Sequence, residues 1–284
     1  MINIYCDGGL GNRLLMMFSG IFYAQMALKP FIIHWPRNNW CGCSFADLFD
    51  NPYNVTNFNL KFLDENILEN CTLFVHETQI QHRNDRGNKL FLHSRVQNMT
   101  PQGIIGIFAS SPNLLYYGNS LHQCLTPETV TCIVEKLKIN EDVMSKIARY
   151  NVSNCYGAHI RGTDFPEAPL VTIEQLEAQI KEFPKHEFFV CSDQKDIEDN
   201  LKTRYPNVVV FEKSKYVERL DKKQDWHGRI TDDLDRSFNF NVNRPKTSVI
   251  EAFCDMLLLS RTKMIKTSNS SFLKCAYVLS KGKL

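Results

Sequence analysis

The sequence predicts an α/β protein with parallel sheets arranged in two units, and three observations lead there. Apolar strand-like runs recur at residues 2–6, 31–35, 103–109, 155–160, 187–191, 207–211 and 263–267, several of them separated by helical patterns, and such alternation implies parallel sheets. A helical stretch from Thr126 to about Tyr150 has few turn signals and divides the strands into two sets. The length, 284 residues, suffices for two domains of ordinary size, with one large domain as the alternative. The expected boundary lies near residue 125, giving units 1–124 and 125–284.

Taken in order, residues 2–6 form the first expected strand and Asn12 to Leu28 the first helix. Between them lies Gly8-Gly-Leu-Gly-Asn-Arg13, the setting of a turn that brings backbone close to a ligand. It is not a dinucleotide fingerprint, which needs glycine where Leu14 stands, nor a P-loop, which needs Gly-Lys-Ser/Thr. Two readings stay open: a tight strand-to-helix turn, or a site where Gly9 and Gly11 admit a ligand to the backbone. In the second, the Asn12 amide and Arg13 guanidinium bind hydroxyls or phosphates. Thr126 and Pro127 then open a helix as N-cap and first helical residue.

Residues 154–160 read as a short buried strand, and beyond it runs His159-Ile-Arg-Gly-Thr-Asp-Phe-Pro-Glu167. A fixed cation (Arg161), two carboxylates (Asp164, Glu167) and an imidazole (His159) thus gather where a strand ends, which is where ligands collect in open α/β sheets. Asp193 follows the next strand; it either caps the helix at 195–204 or faces the cleft. Residues 212–247 are polar with little periodicity and read as a long loop with short helices, of the kind that often forms a lid. Asp255 sits on an otherwise apolar helix face, where a carboxylate needs an internal donor or a ligand that donates. After a strand at 263–267, Ser268-Asn-Ser-Ser-Phe272 opens the terminal helix. Ser270 and Ser271 either cap that helix or join its free N–H groups and partial positive charge in holding an anion.

With 43% apolar residues, 23% charged residues and a formal charge of +2, the chain is expected to be globular and nearly neutral. No Lys/Arg block stands out, which argues against a nucleic-acid partner. Ten cysteines would suit a disulfide framework in a secreted protein, but residues 1–6 start a strand with no basic leader or cleavage site. Reduced thiols and a cytoplasmic location are expected. Cys155, Cys191, Cys254 and Cys275 lie in apolar patterns as small hydrophobes. Cys41 and Cys43 have no second cysteine pair, so no zinc site is expected. No apolar run reaches the roughly 18 residues of a membrane span.

The motifs, in order, are GGLGNR at 8–13, HIRGTDFPEA at 159–168 followed by Ile173-Glu-Gln-Leu176, CSD at 191–193 followed by RYPN at 204–207, and DMLLLS with TSNSSF at 255–272. In these four blocks the chain resembles the fucosyltransferase superfamily that shares an HxRxxD motif, in particular its α1,6-fucosyltransferase and rhizobial nodulation branch. The resemblance runs through about 155–280; earlier it rests on GGLGNR and on His34-Trp-Pro-Arg-Asn-Asn-Trp-Cys-Gly-Cys-Ser-Phe-Ala-Asp-Leu-Phe49. It implies the GT-B architecture, two Rossmann-like domains facing a central cleft with the nucleotide held mainly by the C-terminal one. It also implies inverting, metal-independent transfer from a nucleotide-sugar donor, GDP-fucose, to a glycan acceptor.

By the same resemblance Arg161 grips the donor pyrophosphate and His159 supports the nucleotide. Ser270, Ser271 and Phe272 bring neutral donors to the phosphates, and Asp255 reads guanine through its two oxygens. Glu167 stands where that branch carries its proposed base. Asp164 orients Arg161 or its loop and is the second candidate base, and Asp193 matches a cleft-facing aspartate. The chain departs from the branch at Gly162, in place of a second arginine, and at Phe165, in place of a lysine. Asp233-Leu-Asp235 could pass for the metal-binding DxD of the other glycosyltransferase architecture, but its surroundings read as a solvated loop. The alternatives are a different nucleotide-sugar donor on the same scaffold, or a non-catalytic glycan- or nucleotide-binding protein.

Overall fold

The computed structural model describes residues 1–50, 53–56, 72–75, 90–91, 99–118, 125–163, 170–224, 226 and 241–281. Asp164, Glu167 and Asp233-Leu-Asp235 lie outside these residues. The first lobe runs β1 (Ile2–Cys6), α1 (Leu10–Met26), β2 (Phe31–His34), β3 (Phe49–Asp50), β4 (Val55–Thr56), β5 (Thr72–Val75), β6 (Leu90–Phe91), α2 (Pro101–Ser110) and β7 (Leu114–Gly118). There follow α3 (Pro127–Val134), β8 (Lys138–Ile139) and α4 (Glu141–Ile147). The remainder is β9 (Tyr156–Ile160), α5 (Ile173–Glu182), β10 (Phe188–Ser192), α6 (Lys195–Arg204), β11 (Val208–Val209), α7 (Lys246–Ser260), β12 (Lys263–Met264) and α8 (Ser271–Lys281).

Two parallel sheets result, ordered β4-β2-β1-β7-β5-β6 and β11-β10-β9-β12. In the first, Ile2 lies opposite both Phe31 and Leu114; in the second, Cys191 lies opposite His159. Strands β9 and β10 are almost wholly buried, as expected of parallel strands covered on both faces. The strand order reverses at β1 in one sheet and at β9 in the other. Each reversal opens a crevice beyond the strand's carboxyl end, so Gly8–Arg13 and Arg161–Thr163 are the segments the topology places at these openings.

The run 103–109, expected as a strand, is instead helix α2. Thr100 caps it by accepting from the Gly103 N–H at 3.2 Å, and Pro101 occupies its first turn. Ile104 and Phe108, one helical turn apart, are its buried residues. Glycine and isoleucine are weak helix formers, and packing against α1 overrides that preference. The sheet position is taken by β7, the next apolar run along the chain. Helix α1 occupies 10–26 rather than 12–28, ending where Leu28 takes the left-handed conformation at φ 53°.

Residues past 125 do not lead straight into the second sheet. Helix α3 packs on α1 and on the terminal helix α8, and β8 pairs antiparallel with β3 through Phe49 and Ile139. Helix α8 also packs on α1 and α7. One apolar core therefore runs from Ile4 and Phe18 through Ile133 to Phe253, Leu257 and Leu279. A smaller core, with Ile160, Leu176, Val190 and Leu201, lies where α5 and α6 meet the second sheet.

Candidate functional site

A cavity of about 1050 Å³ is lined by Gly8 to Asn12 from the first lobe and by His159, Arg161, Asp255 and Ser268 to Lys274 from the second. Two helix N-termini converge on it. Gly9, the N-cap of α1, has no side chain to cap with, so the first N–H groups of that helix have no intrahelical partner and no cap from it. The N-terminus of α8 lies against it. A β-carbon on Gly11 would come within 2.8 Å of the Ser271 and Phe272 backbones, so only glycine permits this approach. Gly11→Ala is expected to lower stability by about 1–3 kcal/mol through overpacking. Gly9→Ala, with nothing within 4 Å, is the control that leaves the melting temperature nearly unchanged.

Ser270 opens α8, its Oγ accepting from the Leu273 N–H at 3.3 Å, so the capping reading of the serines holds for this residue. The same Oγ lies 3.3 Å from His159 Nδ1, and Ser268 Oγ lies 3.4 Å from it. His159 stacks on Phe272 with ring centroids 4.4 Å apart. Burial first, then the charges of Arg161 and Lys213, push its pKa down to about 3, so the imidazole is neutral and hydroxyl-bonded. Thr267 Oγ1 ties the strand end down, accepting from the His159 N–H at 3.2 Å and donating to the His159 carbonyl at 2.7 Å.

Arg161 leaves β9 half-buried and lines the cavity. Its loop is held by Asp193, whose Oδ1 accepts from the Gly162 N–H at 2.8 Å while Oδ2 accepts from the Thr163 hydroxyl. Asp193 thus lines the cavity and braces the loop after β9 with both oxygens. The Gln194 amide donates to the Gly162 carbonyl at 2.7 Å, filling the space against that glycine.

Arg13 is not brought to the cavity. It is fully buried, and its guanidinium donates to the Gly8 carbonyl at 2.7 Å, to Asn38 Oδ1 at 2.9 Å and to the Pro36 carbonyl. It lies 5.5 Å over the Trp35 ring and pins the 36–41 loop to the start of α1. Asn12, Gly9 and Gly11 do line the cavity.

Asp255 is the most unusual group in the site. It is 3% exposed; Oδ2 accepts from Lys213 Nζ at 2.6 Å, whereas Oδ1 is buried without a hydrogen-bond partner. Burial raises its pKa to about 8, with Lys213 pulling it down and Glu198 pushing it up. Lys213 and Glu198 belong to no motif recognised in the sequence. One signal for Glu198 existed, since in the polar helix α6 it shares a face with Leu201, three residues on, and with Tyr205 just beyond the helix. Lys213 lies in the polar stretch expected as loop and carried no signal.

Seven of the eight described cysteines are buried, among them Cys155, Cys191, Cys254 and Cys275, and all eight are free thiols. Among the described residues no group of three or more His, Cys, Asp or Glu is placed to hold a metal ion, and no helix is long and apolar enough to cross a membrane.

No family model and no curated protein matches the sequence. Solved structures do match. Fucosyltransferase NodZ from Bradyrhizobium superposes with TM-score 0.60 at 16% identity, over 97% of this chain and 92% of that one. NodZ α-1,6-fucosyltransferase soaked with GDP-fucose gives 0.59 at 15% identity, over 98% and 91%. A mutant of Arabidopsis thaliana FUT1 in complex with GDP gives 0.52 at 14% identity, over 98% of this chain and 68% of that chain. The two parallel-sheet lobes thus have the GT-B fold seen in fucosyltransferases such as NodZ.

Proposed function

We propose that this protein is an inverting, metal-independent glycosyltransferase of the cytoplasm that moves fucose from GDP-fucose to a glycan hydroxyl. One observation carries the reading: a single cavity is lined by two converging helix N-termini, the Arg161 side chain and a buried carboxylate with an unpaired oxygen. The first two suit a diphosphate; the third suits a base edge that donates hydrogen bonds. Residues 125–284 carry most of the nucleotide contacts, joined by Gly11 and Asn12, and the rest of residues 1–124 the acceptor side.

In this reading Arg161 and the first-turn N–H groups at Gly11, Ser271 and Phe272 take up the charge that grows on the leaving diphosphate as the sugar–oxygen bond breaks, the task a metal ion performs elsewhere. Asn12 and Ser270 add neutral polar contacts. Asp255 accepts from guanine, and neutral His159, stacked on Phe272, supports the nucleotide without adding charge. Glu167 removes the proton from the attacking hydroxyl, which approaches opposite the leaving group. Asp164 orients Arg161, and Asp193 keeps its loop in place.

A thermal-shift panel tests the donor. GDP and GDP-fucose at about 100 times Kd are expected to raise the melting temperature by roughly 5 °C or more, and UDP and CMP are not. A shift with UDP and none with GDP overturns the assignment. Chelation with EDTA is expected to leave turnover intact; a requirement for Mn²⁺ would move the chemistry to Asp233 and Asp235.

A further inference from the structure

Lys213 is 3% exposed, and its ammonium donates to the Ser192 carbonyl at 2.7 Å, to Glu198 Oε1 at 2.6 Å and to Asp255 Oδ2 at 2.6 Å. All three of its donors are used. Glu198, 1% exposed, also accepts from the Ser192 N–H and the Tyr216 hydroxyl, each at 2.6 Å. The cluster is saturated except at one atom, Asp255 Oδ1, in a residue that lines the cavity. One buried ammonium facing two buried carboxylates is a cation short. With both acids ionised the cluster carries a net negative charge in a poorly solvated place, and the favourable empty state retains a proton.

This inference rests on the nucleotide-sugar reading above. We propose that Lys213 and Glu198 are positioning residues that fix the direction and charge of Asp255, so that a nucleobase binding through its N–H donors expels one proton from the cluster. Lys213 holds Oδ2 and thereby leaves Oδ1 as the unpaired acceptor, in place of the two-oxygen grip expected from the sequence. In the protonated cluster the acid is a donor and repels an N–H edge. Protons and base therefore compete, and affinity climbs with pH until it passes the pKa of the empty site, then levels.

The other groups facing the cluster do not supply such a step. His159 is held neutral, down at about 3. Burial pushes the Cys191 and Cys254 thiols up, and burial with Glu198 does the same to the Tyr216 phenol. The Arg161 guanidinium also lines this cavity, and Glu251 is occupied by the Ser214 and Lys215 N–H groups and the Ser214 hydroxyl. Burial raises both carboxyls of the cluster, Glu198 and Asp255, the latter to about 8, so this pair is placed to titrate near neutrality.

The test is calorimetric titration with GDP-fucose, whose diphosphate diester does not change charge near neutrality. It is run at pH about 6 and about 8 in two buffers of different ionisation heat, and affinity is expected to rise by about tenfold or more with close to one proton released at the lower pH. Glu198→Gln leaves one ammonium for one carboxylate. At pH about 6 that variant is expected to bind about tenfold tighter than the parent, with the proton release abolished. Binding that is independent of pH and buffer in the parent protein overturns the inference alone, whether or not the variant folds. Absence of binding at both pH values overturns the nucleotide reading and this inference with it.

Discussion

Replacing Arg161 by Ala is expected to lower kcat/KM for fucosyl transfer by roughly 10²- to 10³-fold, about 3–4 kcal/mol of transition-state stabilisation. The side chain stands just beyond β9, where the strand order of the second sheet reverses, and lines the cavity beside two helix N-termini. A guanidinium there stays charged and can bind two phosphate oxygens at once, so its effect grows as charge builds on the leaving diphosphate. Arg161→Lys is expected to recover little, because an ammonium cannot reproduce the fork. The melting temperature should change little in either variant, since the residue is half-buried and outside both cores. Near-normal initial rates for the lysine variant would show that Arg161 does not grip the donor.

Glu167→Gln is expected to reduce kcat by about 10²-fold or more while GDP affinity stays nearly constant. The amide keeps the size and hydrogen bonding of the side chain and removes its capacity to take a proton. Asp164→Asn and Asp193→Asn are the necessary comparisons. Both Asp193 oxygens brace the loop carrying Arg161, so an amide there is expected to weaken GDP binding as well as turnover. If Glu167→Gln transfers sugar normally and one of the aspartate variants loses only kcat, the base is that aspartate.

The parts of the fold legible in the sequence are those where one local signal acts unopposed. β1, β9 and β10 read as largely apolar, strand-like runs, and α6 was placed at its observed residues. Where two signals competed, the sequence misled: Ile104, Ile105 and Ile107 have strand preference, yet Thr100 and Pro101 begin a helix that α1 covers. Within the site, glycines and serines at strand ends pointed to the cavity, because backbone geometry and capping are local. Arg13 was misplaced, since nothing near it in sequence shows that the Pro36 carbonyl and Asn38 would claim its guanidinium. Asp255 was rightly seen to need a donor. That the donor is Lys213, 42 residues away, is a fact of tertiary structure alone.

The contact of Gly11 with Ser271 and Phe272 joins residues 260 positions apart in the chain. During synthesis the first lobe leaves the ribosome long before α8, and until that helix arrives the apolar faces of α1 and α3 that it covers are exposed. A nascent chain therefore carries half of the cavity lining and an open, sticky surface for most of its translation, a condition that favours aggregation or chaperone capture. Chains that stop before residue 271 would lack one wall of the cavity and the closing face of the core together.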